Sequence, residues 1–137
     1  MEEKSCLIVS SVSDDPFAID VAHFFGQNAE ISDLVALKRF ANSEFCPRFI
    51  SDESDFDHIG TQLVGKTVAI VSTCSGTHTR NARAMRTCLL ARAAKDNGAA
   101  RVILVEPDLF YSAQDRGPRP EHGEVSFERN ANDYKKF

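Results

Sequence analysis

The chain has 137 residues, 42% hydrophobic and 26% charged, with a formal net charge of −4. That length gives one domain with room for a single core, and the acidic balance removes any general case for nucleic-acid or anionic membrane binding. No apolar run approaches the roughly 18 residues of a membrane span.

The start, "MEEKSCLIVSS", is acidic, and its apolar stretch is too short for a secretory signal. Cys6, Cys46, Cys74 and Cys88 form no C-x-x-C pair. Scattered thiols in or beside apolar segments suit packing in a reducing compartment, so the expected location is the cytoplasm.

Taken in chain order, "CLIVSS" (6–11) is the first of three short, β-branched runs and predicts a strand buried on both faces of a parallel sheet. "DPFAIDVAHFFGQ" predicts a helix, with Pro16 in its first turn, Phe17, Val21, Phe24 and Phe25 as its apolar face, and Gly26 closing it. In the stretch 30–50, "DLVALKRF" and "EFCPRFI" are two extended segments around "ANS", which predicts a hairpin or an arm off the sheet. "SDESDFDH" (51–58) is acidic and reads as a solvated loop or helix start.

"TVAIVST" (67–73) is the second buried strand and "RVILVEP" (101–107) the third. Between them, "HTRNARAMRTCLLARAAKDNGA" places Ala82, Met85, Leu89, Leu90 and Ala93 at helical spacing, and Asn97-Gly98 supplies the stop. Strand, helix, strand over about forty residues is a βαβ unit with a right-handed crossover. The end, "GPRPEHGEVSFERNANDYKKF", has two prolines and two glycines without strand or helix periodicity, and reads as a mobile tail or a long loop.

In open α/β sheets, ligands gather beyond the carboxyl ends of the strands. "STCSGTHTRN" (72–81) qualifies by position: its hydroxyls and N–H groups suit a phosphate at a helix N-terminus, or simply cap the helix. It matches neither G-x-x-x-x-G-K-[ST] nor G-x-G-x-x-G. Gln114, Asp115 and Arg116, after the third strand, suit a base edge and a phosphate, or a surface turn with a salt bridge. Arg80, Arg83, Arg86 and Arg92 put four cations on the helix with no acid before Asp96. Arginine in the first turns opposes the helix dipole. These residues form either a solvated face or one that meets an anion or a partner subunit. The four histidines have no metal-ligand spacing, and no Ser/His/Asp or Cys/His set emerges.

Three blocks, in order, resemble the N-terminal half of ribose-phosphate pyrophosphokinase. "CLIVSS" with its helix is similar to the family's opening. "RFANSEF" (39–45) is similar to its R-F-x-[DN]-G-E segment. Residues 65–116 are similar to its G-K-x-V-x-I-x-Q-S-T stretch, N-x-x-x-M helix, A-x-R-I strand and Y-A-R-Q-D-R ending. The resemblance implies a three-layer α/β fold, a mostly parallel sheet with flanking helices (phosphoribosyltransferase-like) and a projecting β-hairpin, over residues 1–116. Residues 117–137 would lead to a second domain that carries the ribose-phosphate loop, and the family's catalytic lysine and metal histidine lie beyond the N-terminal strands, so the resemblance implies no catalytic residue and no metal ligand within this chain.

It further implies transfer of diphosphate from ATP to ribose 5-phosphate, with Mg²⁺, in a homo-oligomer. Phe40 would flank adenine, and Asn42, Ser43 and Glu44 would contact the base and its surroundings from a neighbouring subunit. Gln114 would bind the nucleotide, and Asp115 and Arg116 would face the polyphosphate. On such an arm, Phe40 and Phe45 would find cover in another subunit. The chain departs from the family pattern at Ala113, where the family has Arg, at Asn42-Ser43 in place of Asp-Gly, and at Arg86 and Arg92, where its helix is acidic. Ala113 favours an alternative reading, a non-catalytic regulatory or assembly subunit of the same fold.

Overall fold

The computed structural model of the chain describes residues 6–51, 56–58, 60–73 and 78–109. The fold set out below belongs to the compact unit that ends at Glu106; a second unit starts at Pro107.

The three apolar runs form one parallel sheet. β1 (Cys6–Val9), β4 (Thr67–Val71) and β5 (Arg101–Val105) lie in the order β1-β4-β5, with Ile8 beside Ala69 and Ala69 beside Ile103. The central strand is buried at Val68, Ala69, Ile70 and Val71, as a continuous β-branched run requires. β5 departs from the expectation of burial on both faces: Ile103, Leu104 and Val105 are exposed. Among the described residues it is an edge strand with a neighbour on one side only. The opposite edge is covered differently. Ile8 N–H donates to Gln27 Oε1 at 2.8 Å, and Gln27 Nε2 donates back to the Ile8 carbonyl at 2.9 Å. One side-chain amide thus does for β1 what a further strand would do, and blunts a pairing edge.

Helix α1 (Pro16–Phe24) starts where Asp15 caps it and Pro16 occupies the first turn, and Gly26, at φ 70°, lets the chain turn away after it. Its inward face is Ala18 and Ala22, not the expected aromatic stripe: Phe17 and Phe25 are exposed and Phe24 is 91% exposed. Two alanines let the helix axis approach the sheet closely, and the bulky stripe is turned outward. A short helix α2 (Ile31–Leu34), which the periodicity does not predict, leads into the hairpin of β2 (Val35–Arg39) and β3 (Phe45–Phe49). The strands pair antiparallel, with Val35 opposite Phe49 and Arg39 opposite Phe45. Of the acidic stretch 51–58, Phe56–His58 make a single 3₁₀ turn.

Helix α3 (Arg80–Asp96) touches both the parallel sheet, at β4 and β5, and the hairpin, at β3. Thr79 Oγ1 caps it by accepting the Ala82 N–H at 3.1 Å, and Asn97-Gly98 ends it, with Gly98 at φ 87°. A Cβ at Gly98 would lie 2.7 Å from Val64 Cγ2, so glycine serves there twice, in backbone angle and in space. The buried face of α3 is Arg83, Ala84, Arg86, Thr87, Leu90 and Ala94. Of the expected apolar face, only Leu90 is fully buried, while Met85 and Leu89 are exposed. Leu90 and Ala94 join Ile8, Val9, Val68, Ile70, Val35 and Phe49 in one core. Each large side chain there contributes about 1.5–3 kcal/mol through removal from water. Among the described residues, no helix is long and apolar enough to cross a membrane.

Candidate functional site

The hairpin tip brings four of the expected residues together. Phe40 N–H donates to the Glu44 carbonyl at 2.8 Å and Ser43 N–H to the Phe40 carbonyl at 2.9 Å, which closes a three-residue loop over Ala41, Asn42 and Ser43. Asn42 Oδ1 accepts the Glu44 N–H at 3.1 Å, so this amide oxygen builds the turn. Ser43 sits at φ 73°, the left-handed position that ends this loop type and favours glycine. The departure from Asp-Gly to Asn42-Ser43 therefore falls on a residue whose backbone angle rewards glycine. Arg39 Nη2 donates to Ser43 Oγ at 3.0 Å and spans the tip.

Phe40, Asn42, Ser43 and Glu44 are all exposed, and Lys38 Nζ lies 5.0 Å from the Phe40 ring centroid. An exposed aromatic ring with amide and carboxylate groups beside it suits a purine on the face that Lys38 leaves free. Gln114, Asp115 and Arg116, with Ala113, lie outside the described residues, as do Cys74 and the loop 74–77.

Beside the tip, on the rung that pairs Arg39 with Phe45, the expectation that Phe45 finds cover in another subunit is corrected. Phe45 is half-buried in its own chain, under the Arg86 guanidinium, whose carbon lies 4.5 Å from the ring centroid. The arginine helix is corrected in the same place. Arg83 is 1% exposed and Arg86 is 7% exposed, while Arg92 is at the surface in an ion pair with Asp96 at 2.9 Å. A helix with four arginines thus turns two of them inward. Arg83 Nη1 lies 3.9 Å from Glu106 Oε2, and Glu106 also accepts from Ser72 Oγ at 2.8 Å. Thr87 Oγ1 meets Ser11 Oγ at 3.0 Å. This buried polar cluster stands at the carboxyl ends of all three strands.

Asp15 completes that end of the sheet. It is 1% exposed, caps α1 by accepting the Phe17 N–H at 3.0 Å, and accepts both the backbone N–H and the hydroxyl of Thr73, the latter at 2.8 and 2.9 Å. The segment that follows β4 is therefore pinned to the loop that follows β1. Thr73 serves that tie and Thr79 serves the helix, so within 72–81 these two hydroxyls have structural partners.

Between the hairpin and the start of α3 lies a second polar group of residues. Arg86 Nη1 is 3.3 and 3.4 Å from the two ring nitrogens of His78. Burial, and then the Arg39 guanidinium, hold Arg86 below the usual arginine range. His78 is held below the usual histidine range by burial first, then by Arg86, with Arg39 adding to the effect and Asp14 opposing it. Arg39 and His78 were not singled out by the sequence, although the run of arginines on the helix pointed at Arg86. Among the described residues, no three His, Cys, Asp or Glu side chains converge as a metal site would require.

No curated protein matches the chain significantly. The model of the N-terminal domain of ribose phosphate pyrophosphokinase matches residues 6–132, nearly the whole chain and all of the sheet, hairpin and helices above, and the chain belongs to that family.

Proposed function

We propose that this chain is the ATP-binding and assembly domain of a ribose-phosphate diphosphokinase, which transfers diphosphate from ATP to ribose 5-phosphate in the cytoplasm. The observation that carries the reading is the hairpin tip, which presents Phe40 with Asn42, Ser43 and Glu44 around it on a turn closed by its own hydrogen bonds. Phe40 flanks adenine, and Glu44 reaches its edge. Gln114, Asp115 and Arg116 complete the nucleotide site from a second copy of the chain, since the tip is exposed while β3 is already packed on α3. With no convergent ligand set among the described residues, Mg²⁺ would travel with the polyphosphate. The domain's part in the reaction is to bind and orient the nucleotide.

The second reading, a regulatory or assembly subunit, is favoured by Ala113 in place of the family's arginine. Calorimetry with a non-hydrolysable ATP analogue separates the two. On the first reading, Phe40→Ala weakens binding by about tenfold, the value of one stacked ring, and Gln114→Ala weakens it as well. If neither substitution changes the affinity, the nucleotide site is not here.

A further inference from the structure

We propose that the junction between the hairpin and α3 binds a phosphate group between the guanidinium groups of Arg86 and Arg39. Burying a cation without an anion is unfavourable, and Arg86 is 93% removed from solvent with its Nε making no hydrogen bond. Neither Arg86 nor Arg39 forms an ion pair with a described carboxylate. The Phe45 ring offers Arg86 a cation–π contact and nothing for its N–H groups. The His78 contact does not neutralise it either. Arg86 Nη1 is almost equally far from both ring nitrogens, a position between the two lone-pair directions and not along one of them.

The second cation comes from a different element. Arg39, at the end of β2, is paired directly opposite Phe45, the ring on which the Arg86 guanidinium sits at 4.5 Å, and its own fork is steadied by Ser43 Oγ. Two guanidinium groups from two directions fit a tetrahedral oxyanion, which offers acceptors on several sides, better than a planar carboxylate, which one fork satisfies. The charge of Asp14, exposed in the β1–α1 loop, reaches His78 and keeps the affinity moderate. The inference is independent of the adenine reading, because phosphate alone is the probe.

The test is NMR of the arginine Nε–H groups in the 137-residue chain, titrated with inorganic phosphate. The Arg86 Nε–H signal moves and saturates in roughly the millimolar range, the affinity of a few charge-assisted bonds. Arg86→Gln lowers the phosphate affinity by about tenfold or more. Arg39→Gln, at an exposed position that leaves the fold intact, lowers it several-fold and decides the matter if Arg86→Gln does not fold. Adenosine leaves the Arg86 signal in place. Tighter binding of ATP than of phosphate at Arg86 identifies a nucleotide as the source, and equal or weaker binding identifies the free ion. An Arg86 signal indifferent to phosphate, an Arg39→Gln chain with unchanged affinity, or acetate binding as well as phosphate overturns the proposal.

Discussion

Replacing Asp15 tests how the carboxyl end of the sheet is held. This side chain, 1% exposed, serves two elements far apart in sequence: it caps α1 through the Phe17 N–H and binds the N–H and hydroxyl of Thr73. Loss of an N-cap costs about 1 kcal/mol. A hydrogen bond to a charged group contributes about 1.5–3 kcal/mol, and the two bonds to Thr73 share one carboxylate, so their joint value is less than twice that figure. Asp15→Ala should therefore destabilise the chain by about 3–5 kcal/mol, against a typical total of about 5–15. Asp15→Asn keeps a capping oxygen but turns an NH₂ group toward one of the Thr73 donors, and should lose about 2 kcal/mol. Thr73→Val removes the hydroxyl alone and should lose about 1.5 kcal/mol, the low end for a bond to a carboxylate that keeps its other donors. Urea denaturation with linear extrapolation measures all three. The order Ala, Asn, Val is the signature of a shared carboxylate. An Asp15→Ala chain within about 1 kcal/mol of the parent would mean that capping is all this residue does, and an Asp15→Asn chain equal to the parent would remove the tie to Thr73.

Two further outcomes follow from the hairpin and its junction. Ser43→Gly should stabilise the chain by about 0.5–1 kcal/mol, because relief of the left-handed backbone at φ 73° outweighs an exposed bond from Arg39; a lower urea midpoint would refute it. His78 binds its proton less readily in the folded chain than in the unfolded one, where its value is 6.5, so unfolding takes up a proton in between and stability rises with pH through that window. The contribution is complete above pH 6.5 and is lost as pH falls through the folded value. His78→Gln should flatten this part of the stability–pH profile between about pH 5 and 7.5; an unchanged profile would place the dependence elsewhere.

The strands and the two longer helices of this fold are plain in the sequence, but the short α2 and the orientation of the helices are not. Continuous β-branched runs give the three strands, and Thr79 and Asn97-Gly98 bound α3, because these signals are local. Which side of a helix faces inward is settled by what it packs against. α1 carries two usable stripes, and Ala18 and Ala22, with Val21 packed beside them, win over Phe17, Phe24 and Phe25 because small side chains admit the closest approach to the sheet. α3 turns Arg83 and Arg86 inward for a reason that no periodicity carries: their partners Glu106, His78 and Phe45 lie on other segments. The hairpin tip was legible as far as Phe40, Asn42, Ser43 and Glu44. Arg39 joins the site only through a contact across the turn, and His78 only through the path of the chain into α3.

The inward arginines also bear on how the hairpin is aimed. A two-stranded hairpin is marginal by itself, so the direction of its tip depends on what anchors its strands. Here the anchors are Phe49 at the base, fully buried in the core, and Phe45 on the rung beside the tip, under Arg86. The first is an apolar contact that fixes position and stays the same under any ordinary condition. The second is a stack between a cation that has a free Nε–H and a ring paired opposite another arginine, Arg39, and the cation also contacts a histidine of lowered basicity. An anion that satisfies Arg86 lowers the repulsion with Arg39 at the same moment, and Arg39 is the residue that braces Ser43 at the tip. Charge beside the tip and geometry at the tip are thereby joined through one strand end. The surface that presents Phe40 is held at one anchor by packing and at the other by electrostatics.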